Sequence, residues 1–111
     1  MSSEFALYSL ASVYALWLHY VLVMALRKAQ KAGTLSRAAY ALGLPPLVVG
    51  VILDALVNIV VCTVVLSELP REWLVTDRLK RHKAAGGWRG NVAAWICEHL
   101  LNAFDPDGCH C

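Results

Sequence analysis

Residues 5–26 read FALYSLASVYALWLHYVLVMAL, and this stretch decides the architecture of the chain. Its 22 residues include no Asp, Glu, Lys or Arg. At about 1.5 Å per residue, a helix of this length covers the roughly 30 Å hydrocarbon layer of a bilayer. A signal peptide fits poorly, because basic residues follow the run where a cleavage site is expected and the residues before it carry no positive charge. The stretch predicts a membrane-spanning helix.

A second apolar stretch, residues 46–68, reads PLVVGVILDALVNIVVCTVVLSE. Pro45 and Pro46 suit the first positions of a helix, and Pro70 marks its exit. The many β-branched residues do not indicate strands, since backbone groups in lipid are satisfied only in helices or closed barrels. Residues 1–70 are therefore predicted to form a transmembrane hairpin with spans at about 5–26 and 46–68.

The composition changes in residues 71–111, which carry a basic run and several glycines. From 91 to 104, apolar residues recur at helical spacing, and the turn sequence Asp-Pro-Asp-Gly follows. The predicted fold class is an all-α membrane protein. It consists of a two-helix transmembrane hairpin followed by a basic juxtamembrane segment and a short amphipathic C-terminal helix, and this basic amphipathic tail ends in Cys-His-Cys.

The composition agrees with a membrane protein of one compact unit. Apolar residues make up 59% of the 111 residues, against about 45–50% in ordinary soluble domains. The sequence contains no Gly-rich phosphate loop, no H-E-x-x-H and no G-x-S-x-G motif. We therefore do not expect an enzyme.

Two polar residues interrupt the second span, Asp54 and Asn58. An ionisable group near the bilayer centre costs roughly 2.5–3.5 kcal/mol, so it normally has a partner. In an antiparallel hairpin His19 lies at nearly the depth of Asp54, which predicts a hydrogen bond or ion pair between them. We assign His19, Asp54 and Asn58 to an intramembrane polar contact, either fixing helix register or joining an oligomer, with a proton or ion relay as a further alternative.

The tail contains thiol and imidazole groups that zinc favours, at Cys97, His99, Cys109, His110 and Cys111. The usual C-x₂-C spacing is missing. Three alternatives stay open: a zinc site, a disulfide between Cys97 and one terminal cysteine, and free thiols.

The basic run contains Arg78, Lys80, Arg81 and Lys83 just beyond the second span. This position predicts side chains that face anionic lipid headgroups. Nucleic acid is not an expected partner.

The distribution of basic residues gives a divided prediction of orientation. The loop between the spans has four Lys and Arg, the tail has six and the N-terminus has none. The larger total favours both termini in the cytoplasm, where the thiols stay reduced. If the first helix dominates, the N-terminus lies outside and the loop inside.

The second half of the chain resembles small two-span membrane proteins of tailed bacteriophages and prophages, whose function is not established. The matching residues are Asp54, Asn58 and Thr63, Pro70, the run TDRLKRHK at 76–83, Gly87-Trp88-Arg89, Trp95, Cys97, and FDPDGCHC at 104–111. The resemblance implies a multi-pass protein of the bacterial inner membrane and carries over no catalytic residue.

These observations give three functional hypotheses. The first is a phage or prophage accessory protein that interacts with lipid, with other copies of itself or with a host membrane protein. The second is a holin-like protein that permeabilises the membrane during lysis. The third is a membrane protein whose tail responds to metal or redox state.

Overall fold

The computed structural model describes residues 3–111. Within this range the chain is helical and contains no β-strand. The main helices are α1, Ser3–Lys31; α2, Arg37–Leu66; α3, Val75–Ala85; and α4, Gly87–Ile96. The all-α class and the two long apolar helices predicted from the sequence are confirmed.

Helix α1 extends the first predicted span by more than a turn, to 29 residues. Glu4 lies in its first turn, and Lys28 and Lys31 lie in its last turn. The helix dipole favours charges of these signs at these ends. Beyond Lys31 the chain takes the left-handed conformation at Gly33, with φ of 73°, and the helix ends.

Helix α2 begins earlier than predicted, at Arg37 instead of Pro46. Ser36 caps it, because its Oγ accepts a hydrogen bond from the Ala39 N–H at 3.1 Å. Pro45 and Pro46 therefore lie inside the helix. Each removes one hydrogen bond to the carbonyl four residues earlier, and those carbonyls belong to the exposed residues 41 and 42, near the loop, where water can satisfy them.

Two close approaches fix the antiparallel register of α1 and α2. A Cβ built on Gly50 would lie 3.3 Å from the Cβ of His19, and one built on Gly43 would lie 2.6 Å from Leu26 Cδ1. The absence of a side chain at these glycines lets the helices approach. In this register Asp54 is level with Ala15.

Helix α2 is not uniform along its length. Regular α-helix over Arg37–Val57 gives way to a π-helical turn, Asn58–Cys62, and a last α-helical turn, Thr63–Leu66. Ser67 then takes the left-handed conformation, with φ of 53°, and the chain turns back.

Helix α3 differs from the predicted basic segment in having a buried face. One face of α3 is buried, and it includes Arg78, Leu79 and His82. These residues recur at helical spacing, so they form one side of the helix that faces the interior although the sequence is rich in charges.

Helix α4 crosses α3 closely at Gly90, where a Cβ would lie 2.6 Å from the carbonyl oxygen of His82. The helix expected over 91–104 thus starts at Gly87. It continues as a π-helical turn, Cys97–Leu101, and a 3₁₀ turn, Asn102–Phe104. The small core between the two helices is formed by Leu79, Ala93, Cys97 and Cys111.

Helices α1 and α2 are long and apolar enough to cross a membrane. Only 6% of the most apolar stretch of α1 and 17% of that of α2 is buried. Large apolar side chains such as Leu10, Leu18, Ile52 and Leu56 are accordingly exposed.

Candidate functional site

The polar residues of α2 contact the tail, residues 71–111. Asp54 Oδ1 accepts a hydrogen bond at 2.7 Å from the N–H of Val75, the first residue of α3. Asn58 is fully buried, and its side-chain amide donates to the carbonyl of Glu72. A carboxylate at a helix N-terminus satisfies an unpaired N–H and interacts favourably with the helix dipole. Both side chains thus satisfy backbone groups of the returning chain.

The predicted pair of His19 and Asp54 is not formed. His19 Nδ1 is 2.8 Å from the carbonyl of Ala15, one turn earlier on its own helix, and its Cβ lies against Gly50. Asp54 instead turns to the tail, because the N-terminus of α3 provides an N–H donor at the same depth. Asp54 therefore contacts the start of α3, and Asn58 contacts the segment just before it.

Arg78 is the largest fully buried side chain among residues 3–111. Its guanidinium donates to the carbonyls of Asn58 and Glu68, each at 2.7 Å, and its Nε lies 3.4 Å from a carboxylate oxygen of Glu68. Asn58 begins the π-helical turn, where a carbonyl can point away from the regular ladder. The arginine therefore binds α2 at its irregular point.

Arg81 and two glutamates form an ion-pair network beside Arg78. Arg81 lies 2.6 Å from Glu68 and 2.5 Å from Glu72, and His82 Nε2 lies 2.7 Å from Glu68. The hydrogen bonds from Arg81 and His82 lower the pKa of Glu68 to about 2. The hydrogen bond from Arg81 also lowers the pKa of Glu72. The network joins the end of α2 to α3.

A second contact forms where α4 becomes π-helical. Trp17 Nε1 donates to the carbonyl of Leu100 at 2.9 Å, and the Tyr20 hydroxyl donates to the carbonyl of Leu101. The ring of Phe104 meets Trp17 edge-on, with 5.7 Å between centroids. Both π-helical turns of the described chain thus supply carbonyls that accept side-chain hydrogen bonds between the tail and the long helices.

A disulfide between Cys97 and Cys111 holds the end of the chain against α4. Asn102 Oδ1 accepts hydrogen bonds from the backbone N–H groups of His110 and Cys111 at 2.8 and 3.2 Å. The His110 ring bonds to Asp105 at 2.9 Å. The last residues are therefore an ordered turn.

This turn also reaches the loop end of α1. Arg27 lies 3.8 Å from Asp105 and 3.3 Å from Asp107, and Lys31 pairs with Asp107. Partial burial alone would raise the pKa of Asp105. Hydrogen bonds from the Asp107 N–H and from His110 outweigh burial, and the pKa is lowered.

The residues predicted for zinc or redox chemistry do not form one cluster in the described range. Cys97 and Cys111 are joined to each other, and Cys109 is exposed. The exposed His99 stacks on Trp95, with 4.8 Å between ring centroids. No group of three or more His, Cys, Asp or Glu side chains in the described range could hold a metal. In the disulfide form, Cys97 and Cys111 offer no thiolate ligands to zinc.

The prediction that the basic run faces lipid headgroups requires correction for two of its four residues. Arg78 is buried against α2, and Arg81 is bonded to glutamates. Lys80 and Lys83 are exposed, and Lys83 Nζ donates to the carbonyl of Cys111 at 3.1 Å. Arg78 is internal and Arg81 is only partly exposed, because carbonyls and carboxylates on α2 and the segment after it bind their donors.

No family model, curated protein or solved structure matches this chain. Function is therefore inferred from the geometry of the site.

Sequence reasoning missed the residues that join the tail to the long helices. Trp17 and Tyr20 look like ordinary members of an apolar span, although their polar atoms require partners in lipid. Glu68 and Glu72 precede the basic run by ten and six residues, and their opposite charge was the available signal.

Proposed function

We propose that this chain is a multi-pass integral protein of a bacterial inner membrane that binds another protein within the bilayer and has no catalytic role. α1 and α2 form its lipid-facing anchor, and the tail forms its binding surface. The low burial of both helices supports the anchor, since a core helix of a soluble protein is mostly buried. The resemblance to phage membrane proteins supports the bacterial setting.

The observation that carries the proposal is the depth of the tail. Val75 is bonded to Asp54, and Leu100 is bonded to Trp17. Asp54 and Trp17 lie in the central parts of α2 and α1. With α1 and α2 spanning the bilayer as proposed, these parts of the tail lie at the level of the hydrocarbon layer.

Charged residues of the tail are exposed at this depth. Asp77 lies within one turn of Val75, and Glu98 precedes Leu100 by two residues. Lys80 lies nearer the end of α2, because its neighbours Arg78 and Arg81 bond to Glu68. A charged side chain costs roughly 2.5–3.5 kcal/mol at the bilayer centre, so this face needs a partner other than lipid. The presence of both signs of charge favours a protein surface with complementary charges.

Site-specific crosslinking in cells tests the proposal. A photo-crosslinking amino acid replaces Lys80 or Glu98, and the control replaces Val49, which is 52% exposed on α2. We expect protein adducts from positions 80 and 98 and mainly lipid adducts from position 49. Glu98→Lys should reduce the adduct from position 80, and Lys80→Glu should reduce the adduct from position 98.

Two results would contradict this function. Release of the protein from membranes by alkaline carbonate would exclude an integral anchor. Lipid adducts alone from positions 80 and 98 would show that the tail has no protein partner.

A further inference from the structure

A crevice of about 300 Å³ separates α1 and α2 from the tail helices. Its floor includes Val57, Val61 and Leu79, which are 4, 9 and 3% exposed. The mouth is marked by Val13 and Val65, which are 42 and 59% exposed. The crevice is a deep apolar cleft that opens on the surface.

The polar groups that border the crevice are already bonded. Asp54 accepts from Val75, the Tyr20 hydroxyl donates to Leu101, and Thr76 Oγ1 lies 3.0 Å from His110 Nε2. A ligand with polar groups inside the crevice would meet few available partners. An apolar ligand fits because even an apolar cavity of about 150 Å³ excludes water and binds hydrocarbon.

One end of the crevice is closed by direct bonds between α1 and the tail. Trp17 and Tyr20 bond to the carbonyls of Leu100 and Leu101, and all four residues line the crevice. A partner helix, about 10 Å wide with its side chains, would have to break these bonds to enter. A flexible hydrocarbon chain can enter without separating the walls.

We propose that this crevice holds an acyl chain of a membrane phospholipid. The inference rests on the proposed membrane location, because the mouth at Val13 and Val65 then opens into the hydrocarbon layer. Phospholipid chains are the hydrocarbon present there at highest concentration. The bound chain covers the apolar floor and fills the space between α1 and the tail.

Native mass spectrometry and lipid extraction of the full chain, purified in a mild non-ionic detergent, test the proposal. Val61→Phe fills the floor of the crevice and Val92→Phe fills the wall contributed by α4, where Val92 is 37% exposed. Val60→Phe is the matched control, since Val60 is 47% exposed on the same turn. We expect a retained phospholipid in the wild type and in Val60→Phe, and its loss in both crevice variants.

Several outcomes would overturn the proposal. These are a lipid-free wild type, equal lipid in all variants, an isoprenoid in place of the phospholipid, or a wild-type dimer that becomes monomeric in the crevice variants. If the variants lose helical content, the test is made on the wild type instead. Cells are fed a photoactivatable fatty acid, and its crosslinks to the protein are mapped. Crosslinks at Val61 and Val92 support the proposal, whereas crosslinks confined to outward faces overturn it.

Failure of the proposed function can be distinguished from failure of the acyl-chain site. If alkaline carbonate releases the protein from membranes, both the proposed function and the acyl-chain site are contradicted. A protein that remains integral and crosslinks to a partner, but retains no phospholipid, loses only the acyl-chain site.

Discussion

Arg78 is suited to its buried position by the shape of its guanidinium. The planar group presents several fixed donors, and they reach carbonyls on both sides of the turn at Ser67. A lysine offers one compact ammonium and cannot span the same acceptors. The charge is offset by Glu68 at 3.4 Å. Arg78 therefore joins the end of α2 to α3.

Replacing Arg78 with methionine should destabilise the attachment of the tail strongly. Removing one partner of a buried ion pair typically costs about 3–5 kcal/mol, because the remaining groups lose their bonds. Thermal unfolding in detergent micelles should show a clear fall in Tm. Lys80→Met, on an exposed position of the same helix, is the control, and equal Tm values for the two variants would contradict the role of Arg78.

Glu68 should make stability sensitive to acid. Its pKa falls on folding from the usual 4.5 to about 2, so it stabilises the folded chain fully above pH 4.5. This stability should be lost progressively as the pH falls from about 4.5 to 2.

Thermal unfolding across that pH range measures the effect. Glu68→Gln should lower Tm near neutral pH and flatten its dependence on acid. Glu98→Gln, at an exposed position, should keep the wild-type profile. A Glu68→Gln profile as steep as the wild type would show that other carboxylates cause the acid response.

At the level of helices, hydrophobic runs predicted α1 and the core of α2 because apolar length alone identifies them. The start of α2 was missed, since its prolines suggested a boundary while the cap at Ser36 set the real one. Helix α3 was missed because its residues look like a solvated basic surface. Its burial depends on the carbonyl of Asn58 at the π-helical turn of α2 and on contacts from residues far away in sequence, which a local pattern does not contain.

The disulfide should stabilise the docked end of α4. Closing a loop of about 15 residues contributes about 3 kcal/mol in the chain-entropy model. Cys97→Ser should therefore increase hydrogen exchange over residues 97–111, with little change in α1. Cys109→Ser, which removes an exposed free thiol, is the control. Unchanged exchange in Cys97→Ser would show that the bonds of Asn102 and the aspartates hold this end of the chain without the disulfide.

At the scale of the whole molecule, the tail runs the length of the long helices. It begins after Ser67, at the end of α2, where Arg89 Nε donates to the carbonyl of Leu66 at 2.7 Å. The turn at 105–107 reaches Lys31, at the loop end of α1. The last residues then turn back, and Cys111 is joined to Cys97. The expectation that both termini are cytoplasmic stays a prediction.

This arrangement predicts that Cys109 and the loop at 32–36 lie on the same side of the membrane. Impermeant maleimide labelling of spheroplasts measures sidedness, using native Cys109 and, in a Cys109→Ser background, Thr34→Cys or Ala85→Cys. We expect position 109 to respond like position 34 and opposite to position 85, with no signal from Cys109→Ser alone. If Cys109 instead matches Ala85→Cys, the tail stays on the side where α2 ends, and its contacts with Arg27 and Lys31 do not form in the membrane.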